Sequence, residues 1–219
     1  MVVPLIIIGR QFDFGQNVTA GVSYEAFAFV GLMFWQIFWD SVVFPQWMMR
    51  RTRHIIKTVE LPPSAILIAG CFYVLFNLST YMVLIVIVLL LFKAAVSWTI
   101  LLTMLSIPVI MISGLSLGIF IAPITLVYLD IRYGLPMLSG LLLWSAPIAY
   151  AKPDKGLLHV INTYNPVTYL IDTPRHWMFS GLEGSNLLFI ICSGFFMVLF
   201  FLSLRFYHRT VPVAVEQIL

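Results

Sequence analysis

Four long stretches of this 219-residue chain contain no Asp, Glu, Lys or Arg. They run over residues 61–92, 94–129, 133–151 and 184–204. A helix needs about 20 apolar residues to cross the hydrocarbon core of a bilayer, and each stretch is that long or nearly so. Buried helices of soluble proteins seldom run so far without a charge. The stretches therefore predict transmembrane helices.

The composition agrees with a protein that faces lipid. Hydrophobic residues make up 61% of the chain and charged residues 10%, whereas roughly a quarter of the residues of a soluble domain are charged. The net charge of +3 is modest, and it suits the loops of a membrane protein better than a nucleic-acid binder, which gathers its basic residues into a patch or stripe. The two cysteines lie inside apolar stretches, without the spacing of a disulfide framework or a metal site. We therefore expect an integral membrane protein with no nucleic-acid partner and no bound metal.

Five complete transmembrane helices are predicted. Four lie in the charge-free stretches, at residues 63–92, 99–127, 135–150 and 185–204, and the first, at residues 26–49, is interrupted by Asp40. The apolar residues 1–9 are too short to span and are predicted to be the end of a truncated first helix. Residues 128–134 are predicted to form a short charged loop. The fold class is thus an all-α polytopic membrane protein, with residues 1–219 as a single transmembrane domain.

Basic residues predict the orientation. A dense basic cluster follows the first complete helix, within residues 46–62. Because short cytoplasmic loops are enriched in Lys and Arg, this segment is expected to be cytoplasmic. Alternation of the helices then places residues 151–184 outside.

Two features inside predicted helices suggest specific contacts. Gly114 and Gly118 are four residues apart, a spacing that lets another helix approach closely. Asp40 is an ionisable residue inside a span, which favours a functional role. The alternative is that Asp40 lies near the interface and pairs with Arg50 or Arg51.

The order of four local patterns resembles the permeases of type-2 ABC exporters, in the branch that exports lipopolysaccharide O-antigen, capsule or teichoic acid chains. The patterns are Gly31–Phe38, Ile55–Pro62, Tyr128–Pro136 with Ser145–Tyr150, and Asn165-Pro166 with Arg175. The resemblance covers about residues 1–209. Leu129 stands where such permeases usually have an arginine, and their cytoplasmic amphipathic helix and complete first span are missing.

The resemblance implies a transport subunit and not an enzyme. Such permeases work as homodimers in the bacterial cytoplasmic (inner) membrane and couple to a separate ATPase subunit. The chain has no GxxxxGK[ST] phosphate-binding loop, so ATP and Mg²⁺ are expected on that partner and no cofactor on this chain. In the family, the segment equivalent to residues 46–62 docks on the ATPase. The candidates for this coupling contact are Arg50, Arg51, Arg53, His54 and Lys57; the alternative is that these residues only anchor the topology and contact lipid headgroups.

Aromatic side chains suggest a path for a glycan. Trp35, Phe38 and Trp39 lie at helical spacing and share one face, and flat rings stack on the apolar faces of pyranose rings. Tyr73 begins a second stripe that includes Asn77. The alternative is an aromatic belt at the interface or ordinary helix packing, with Asn77 in an interhelical hydrogen bond.

Residues 135–178 combine a short apolar helix with a proline-interrupted segment. Non-helical backbone at membrane depth is tolerated when protein or a water-filled cavity covers it. In the family, this region forms re-entrant helices that gate the outer mouth. The residues expected to shape the gate are Pro147, Tyr150, Asn165, Pro166 and Arg175.

Other classes of membrane protein remain as alternatives. A secondary transporter would need related halves and intramembrane ions, and the chain shows no internal repeat. A permease for drugs or lipids is a closer alternative. For a membrane-embedded enzyme, Asp172, Arg175 and His176 are the only cluster of suitable side chains.

Overall fold

The computed structural model describes residues 22–51, 63–148, 150, 155–182 and 185–216. These residues form seven α-helices and no strand. The helices are α1 (Tyr24–Arg51), α2 (Pro63–Leu91), α3 (Ile100–Val127), α4 (Leu129–Ser145), α5 (Leu157–Tyr164), α6 (Pro166–Phe179) and α7 (Asn186–Glu216). The prediction of an all-α protein is confirmed.

Within the described residues, four helices are long and apolar enough to cross a membrane: α1, α2, α3 and α7. The predicted span at 135–150 corresponds to most of α4, which has 17 residues and is not one of the four. Residues 1–9 lie outside the described part of the chain. The chain therefore has the character of a multi-pass membrane protein.

The connection between α3 and α4 differs from the prediction. Residues 128–134 do not form a charged loop, because α3 ends at Val127 and α4 begins at Leu129. Only Tyr128 between them has extended backbone, with φ −102° and ψ 102°. Asp130 lies in the first turn of α4, where a carboxylate favourably meets the helix dipole. The charged residues therefore start a helix.

Helix α7 continues beyond the predicted end of the last span at residue 204. It remains helical to Glu216, and the candidate membrane span within it runs from Asn186 to Val211. The basic residues Arg205, His208 and Arg209 therefore extend α7 by further turns. They do not mark its end.

Helix α1 lies at the centre of the described bundle. Its largest contact is with α3, and it also packs against α2, α4 and α6. In the 18-residue apolar stretch of α1, 78% of the residues are buried inside the protein, whereas the corresponding shares are 22% for α2 and 17% for α7. The aromatic side chains Phe34, Trp35 and Phe38 form much of the main core. Because α2 and α7 bury so little, many of their large apolar side chains are exposed in the described structure.

The glycine pair of α3 produces the close α1–α3 contact. A Cβ atom on Gly114 would overlap the Phe38 carbonyl oxygen, and one on Gly118 would lie 2.5 Å from the Val42 carbonyl oxygen. Only hydrogen atoms at these two positions let the backbones approach so closely. The prediction of a close helix contact at Gly114 and Gly118 is confirmed.

Candidate functional site

The break after α4 is held by Arg175, a fully buried side chain of α6. Its Nη1 donates to the carbonyl oxygen of Ile148 at 2.8 Å, and its Nη2 donates to that of Pro147 at 2.8 Å. Proline ends the hydrogen-bonding pattern of a helix because it has no N–H group. The planar, forked guanidinium thus satisfies two carbonyl groups where the chain leaves α4.

A carboxylate and an aromatic ring complete the surroundings of Arg175. Its Nη2 also forms an ion pair with Asp172, one turn earlier in α6, and its guanidinium carbon lies 3.7 Å from the ring centre of Phe27 on α1. Gly31 leaves room for this arrangement, since a Cβ there would lie 2.6 Å from the Ile148 carbonyl oxygen. The cluster therefore joins α1, α6 and the segment after α4.

A second set of contacts joins α4 to the turn between α5 and α6. Asn165 lies in that turn. Its Nδ2 donates to both the carbonyl oxygen and Oγ of Ser145, each at 3.1 Å. Its Oδ1 accepts from the Val167 backbone N–H at 3.0 Å, which caps α6, and Pro166 occupies the first turn. Proline suits that position because no N–H bond is lost there.

Tyr150 provides a third contact. Its hydroxyl lies 2.9 Å from the Trp144 carbonyl oxygen and 3.2 Å from Oδ1 of the buried Asn162. The five predicted gate residues thus all lie in one region, around the end of α4 and the α5–α6 turn. Asn162 and Gly31 belong to the same region and were not among the predicted gate residues. Gly31 was cited only as the start of the Gly31–Phe38 pattern, and no sequence signal identified Asn162.

Replacement of Asn165 separates its two functions. Asn165→Ala is expected to cost about 1–2 kcal/mol in the free energy of unfolding, because α6 loses its cap and Ser145 its donor. Asn165→Asp keeps the capping oxygen and should recover roughly 1 kcal/mol of that loss. Thermal unfolding in detergent measures both; equal stabilities for the two variants would contradict these roles.

The acidic residue of the cluster makes stability depend on pH. Burial acts to raise the pKa of the Asp172 carboxyl, but the contact with His176 and the positive charge of Arg175 outweigh it and lower the pKa to about 2. Because the folded-state pKa lies below that of an unfolded Asp, the stabilisation is present above about pH 4 and is lost as pH falls toward 2.

We expect about 2 kcal/mol of unfolding free energy to disappear across that window. Apparent melting temperatures measured between about pH 6 and pH 2 test this. Asp172→Asn should flatten the profile, whereas Asp130→Asn, which removes an exposed carboxylate of α4, should preserve it. A wild-type profile without a fall in this window would contradict the prediction.

The predicted path residues on α1 lie beside this region. The rings of Trp35 and Trp39 stack, with centres 5.7 Å apart, and Phe38 lies 5.8 Å from Trp35. All three are buried. Together with Ser145 and Asn165 they line a cavity of about 550 Å³.

Tyr73 lies elsewhere, on α2. It stacks on Phe44, with ring centres 4.4 Å apart, and also contacts Trp47. These residues line a second cavity of about 300 Å³, together with Asp40 and Asn77. The structure therefore separates Tyr73 from the other three predicted path residues.

Asp40 has partners that the sequence did not indicate. Its carboxylate accepts hydrogen bonds from Gln36 Nε2 at 2.9 Å and from the Tyr81 hydroxyl. Arg51, one of the two partners expected for Asp40, instead lies over the ring of Trp47, with its guanidinium carbon 5.1 Å from the ring centre. Asp40 therefore links α1 to α2.

The predicted coupling residues are only partly described. Arg50 and Arg51 occupy the last turn of α1, and Arg51 is exposed. Arg53, His54 and Lys57 lie outside the described residues. In the described part of the chain, no group of three or more His, Cys, Asp and Glu side chains could hold a metal ion.

Comparison of the chain with protein-family models and with curated proteins found no match.

Proposed function

We propose that this chain is the permease subunit of an ATP-driven ABC exporter, which moves a polysaccharide or a lipid-linked glycan out across the bacterial inner membrane. The observation that carries the proposal is the cavity between α1, α3, α4 and the α5–α6 turn. The predicted path residues Trp35, Phe38 and Trp39 line it together with Asn165, one of the predicted gate residues. Two predictions made from separate parts of the sequence thus meet at one space.

The α5–α6 pair supports a re-entrant gate. The Pro174 and Trp177 carbonyl oxygens accept hydrogen bonds from Thr103 and Thr99 at the start of α3. At the other end of α6, Val167 lines the same cavity as Leu117, in the second half of α3. Helix α6 therefore extends along α3 from its start past its middle. A segment that enters to this depth and returns on the same side is a re-entrant gate in our proposal.

The apolar surfaces that remain exposed on a single chain suggest what its partners are. The exposed apolar faces of α2 and α7 suit lipid and a second copy of the chain, and a homodimer would enclose a wider path. ATP and Mg²⁺ belong to a separate ATPase subunit, which docks on the basic segment at the end of α1. The chain itself contributes no catalytic group, and its part is to conduct the glycan.

The lining of the cavity favours a second candidate, a permease for lipids or drugs. Apart from Ser145 and Asn165, the residues around the space are apolar, as suits an acyl chain. In this case the coupling to an ATPase is the same and the cargo differs.

Purification from the native host tests the proposal. The chain is tagged at its C-terminus, extracted in mild detergent, and its co-purifying proteins are identified; we expect an ATPase with a phosphate-binding loop at about one copy per chain. Deletion should remove a glycan from the cell surface. An ATPase with an unchanged surface glycan and altered lipid export would support the second candidate, and absence of any ATPase would contradict both.

Charge reversal tests the docking segment. Reversal of Arg50, Arg51 and Arg53 should abolish association with the ATPase. Reversal of Arg205 and Arg209, which are exposed basic residues of α7, is the matched control and should preserve it. Intact association after both reversals would refute the proposed dock.

A further inference from the structure

The second cavity, between α1 and α2, combines polar and aromatic groups inside two of the candidate membrane spans, Tyr24–Met49 and Ile68–Leu91. We call it the Asp40 pocket and define it by its lining residues: Asp40, Val43, Phe44, Trp47, Tyr73 and Asn77. Its volume of about 300 Å³ is at the lower end of the usual range for small-molecule sites, about 300–1,000 Å³. The pocket is thus large enough for one small ring and its substituents.

Aromatic rings form one wall of the pocket. Tyr73 stacks on Phe44 with an angle of 15° between the ring planes, and Trp47 lies close to parallel with Tyr73, at 29°. Tyr73 and Trp47 remain 45% and 38% exposed. A platform of nearly parallel rings suits a flat ligand with C–H groups on one face, as a pyranose has.

Hydrogen-bonding groups form another part of the pocket lining. The Asp40 carboxylate accepts from Gln36 and Tyr81, and two carboxylate oxygens can accept about four hydrogen bonds, so acceptor capacity remains. The Asn77 amide forms no hydrogen bond to any described residue. An amide without a partner is costly in an apolar helix. The pocket therefore offers a carboxylate and an amide to hydroxyl groups.

The charge of the pocket restricts the ligand further. In the described part of the chain, no Lys, Arg or His forms an ion pair with Asp40. A second anion in the pocket would be repelled, because charges interact strongly where water is scarce. Neutral and amino-bearing sugars are compatible with this carboxylate, and acidic sugars are not.

We propose that the Asp40 pocket binds one neutral or amino-bearing pyranose residue of the transported glycan and discriminates against acidic sugars. This inference rests on the proposed function for the identity of the cargo. The pocket lies in the half of α1 that leads to the basic segment, so it meets the glycan on the side of the ATPase. The cavity at Trp35 and Asn165 is then a later point of the path.

Binding is measured on the full chain, with its accompanying subunits, in lipid nanodiscs. The probes are methyl glucoside, methyl glucosaminide and methyl glucuronide, and the signal is tryptophan fluorescence. The first two should bind and the third should not. Trp47→Phe should abolish the signal, whereas Trp144→Phe, which removes an indole of similar exposure outside the pocket, should preserve it.

Two further variants test the roles of the polar groups. Asn77→Ala should weaken methyl glucoside binding by about tenfold, the effect of one lost hydrogen bond. Asp40→Asn should let methyl glucuronide bind to within about twofold of methyl glucoside, because the repelling charge is gone. Preference for the glucuronide in the wild type, or an unchanged preference in Asp40→Asn, would overturn the proposal.

A cation probe tests whether the pocket binds organic cations and not sugars. If tetramethylammonium binds and methyl glucoside does not, the pocket is a site for organic cations and the sugar proposal is wrong; the same holds if no sugar binds. Failure of the proposed exporter function can be distinguished from failure of the pocket proposal. Sugar binding with an unchanged surface glycan after deletion would refute the exporter role alone, and a lost glycan without sugar binding would refute the pocket alone.

Discussion

Arg175→Ala is expected to lower the free energy of unfolding by about 3–5 kcal/mol, the usual cost of removing one partner of a buried ion pair. Two carbonyl oxygens, those of Pro147 and Ile148, lose their donor at once, and the carboxylate of Asp172 keeps only its contact with His176. The ring of Phe27 also loses the cation above it, at 3.7 Å. The measurement is thermal unfolding in detergent.

Arg175→Lys is the control for charge. An ammonium group keeps the attraction to Asp172 but cannot form the planar fork that reaches two carbonyl groups. We therefore expect intermediate stability, with a loss of roughly 1–3 kcal/mol for the carbonyl left unsatisfied. If both variants unfold at the same temperature as the wild type, the contacts of Arg175 do not stabilise the segment that follows α4.

Gly114→Ala should destabilise the protein by about 1–3 kcal/mol, the typical cost of overpacking. The new methyl group would overlap the Phe38 carbonyl oxygen and lie 2.7 Å from Ser41 Cβ. Backbone atoms cannot rotate away as a flexible side chain can, so α1 and α3 must separate. Gly118→Ala should act in the same direction, since its Cβ would lie 2.5 Å from the Val42 carbonyl oxygen.

Gly194→Ala on α7 is the matched control, because nothing lies within 4 Å of a Cβ built there. Alanine in a helix is favoured over glycine by roughly 0.5–1 kcal/mol, so this variant should be as stable as the wild type or more so. The same substitution thus has opposite signs at two positions. A destabilisation of Gly194→Ala as large as that of Gly114→Ala would contradict the close-contact explanation.

Features that depend on local spacing could be predicted from the sequence. Runs without charges located three of the four long apolar helices, α2, α3 and α7. The four-residue spacing of Gly114 and Gly118 predicted a close helix contact on α3, though not that its partner is α1. Helical spacing of Trp35, Phe38 and Trp39 placed them on one face. Such patterns can be recognised because residues that are close in the sequence lie on the same helix, where their spacing determines their relative positions.

Contacts between distant residues could not be predicted. No pattern indicates that Tyr81 donates to Asp40, or that Arg175 reaches the carbonyl groups of Pro147 and Ile148. The loop predicted at 128–134 was wrong for a related reason. Charge suggested exposed irregular structure, but a single extended residue, Tyr128, suffices to end α3 and start α4.

The position of Asp40 has a consequence for how the chain is inserted. Its partner Tyr81 follows 41 positions later, on a helix that is made after α1. Before α2 is made, the Asp40 carboxylate has only Gln36 of its own helix as a partner, and an acidic residue at the centre of a membrane helix costs about 2.5–3.5 kcal/mol to insert. We therefore expect α1 to insert into a membrane less favourably alone than together with α2, which supplies the Tyr81 hydroxyl.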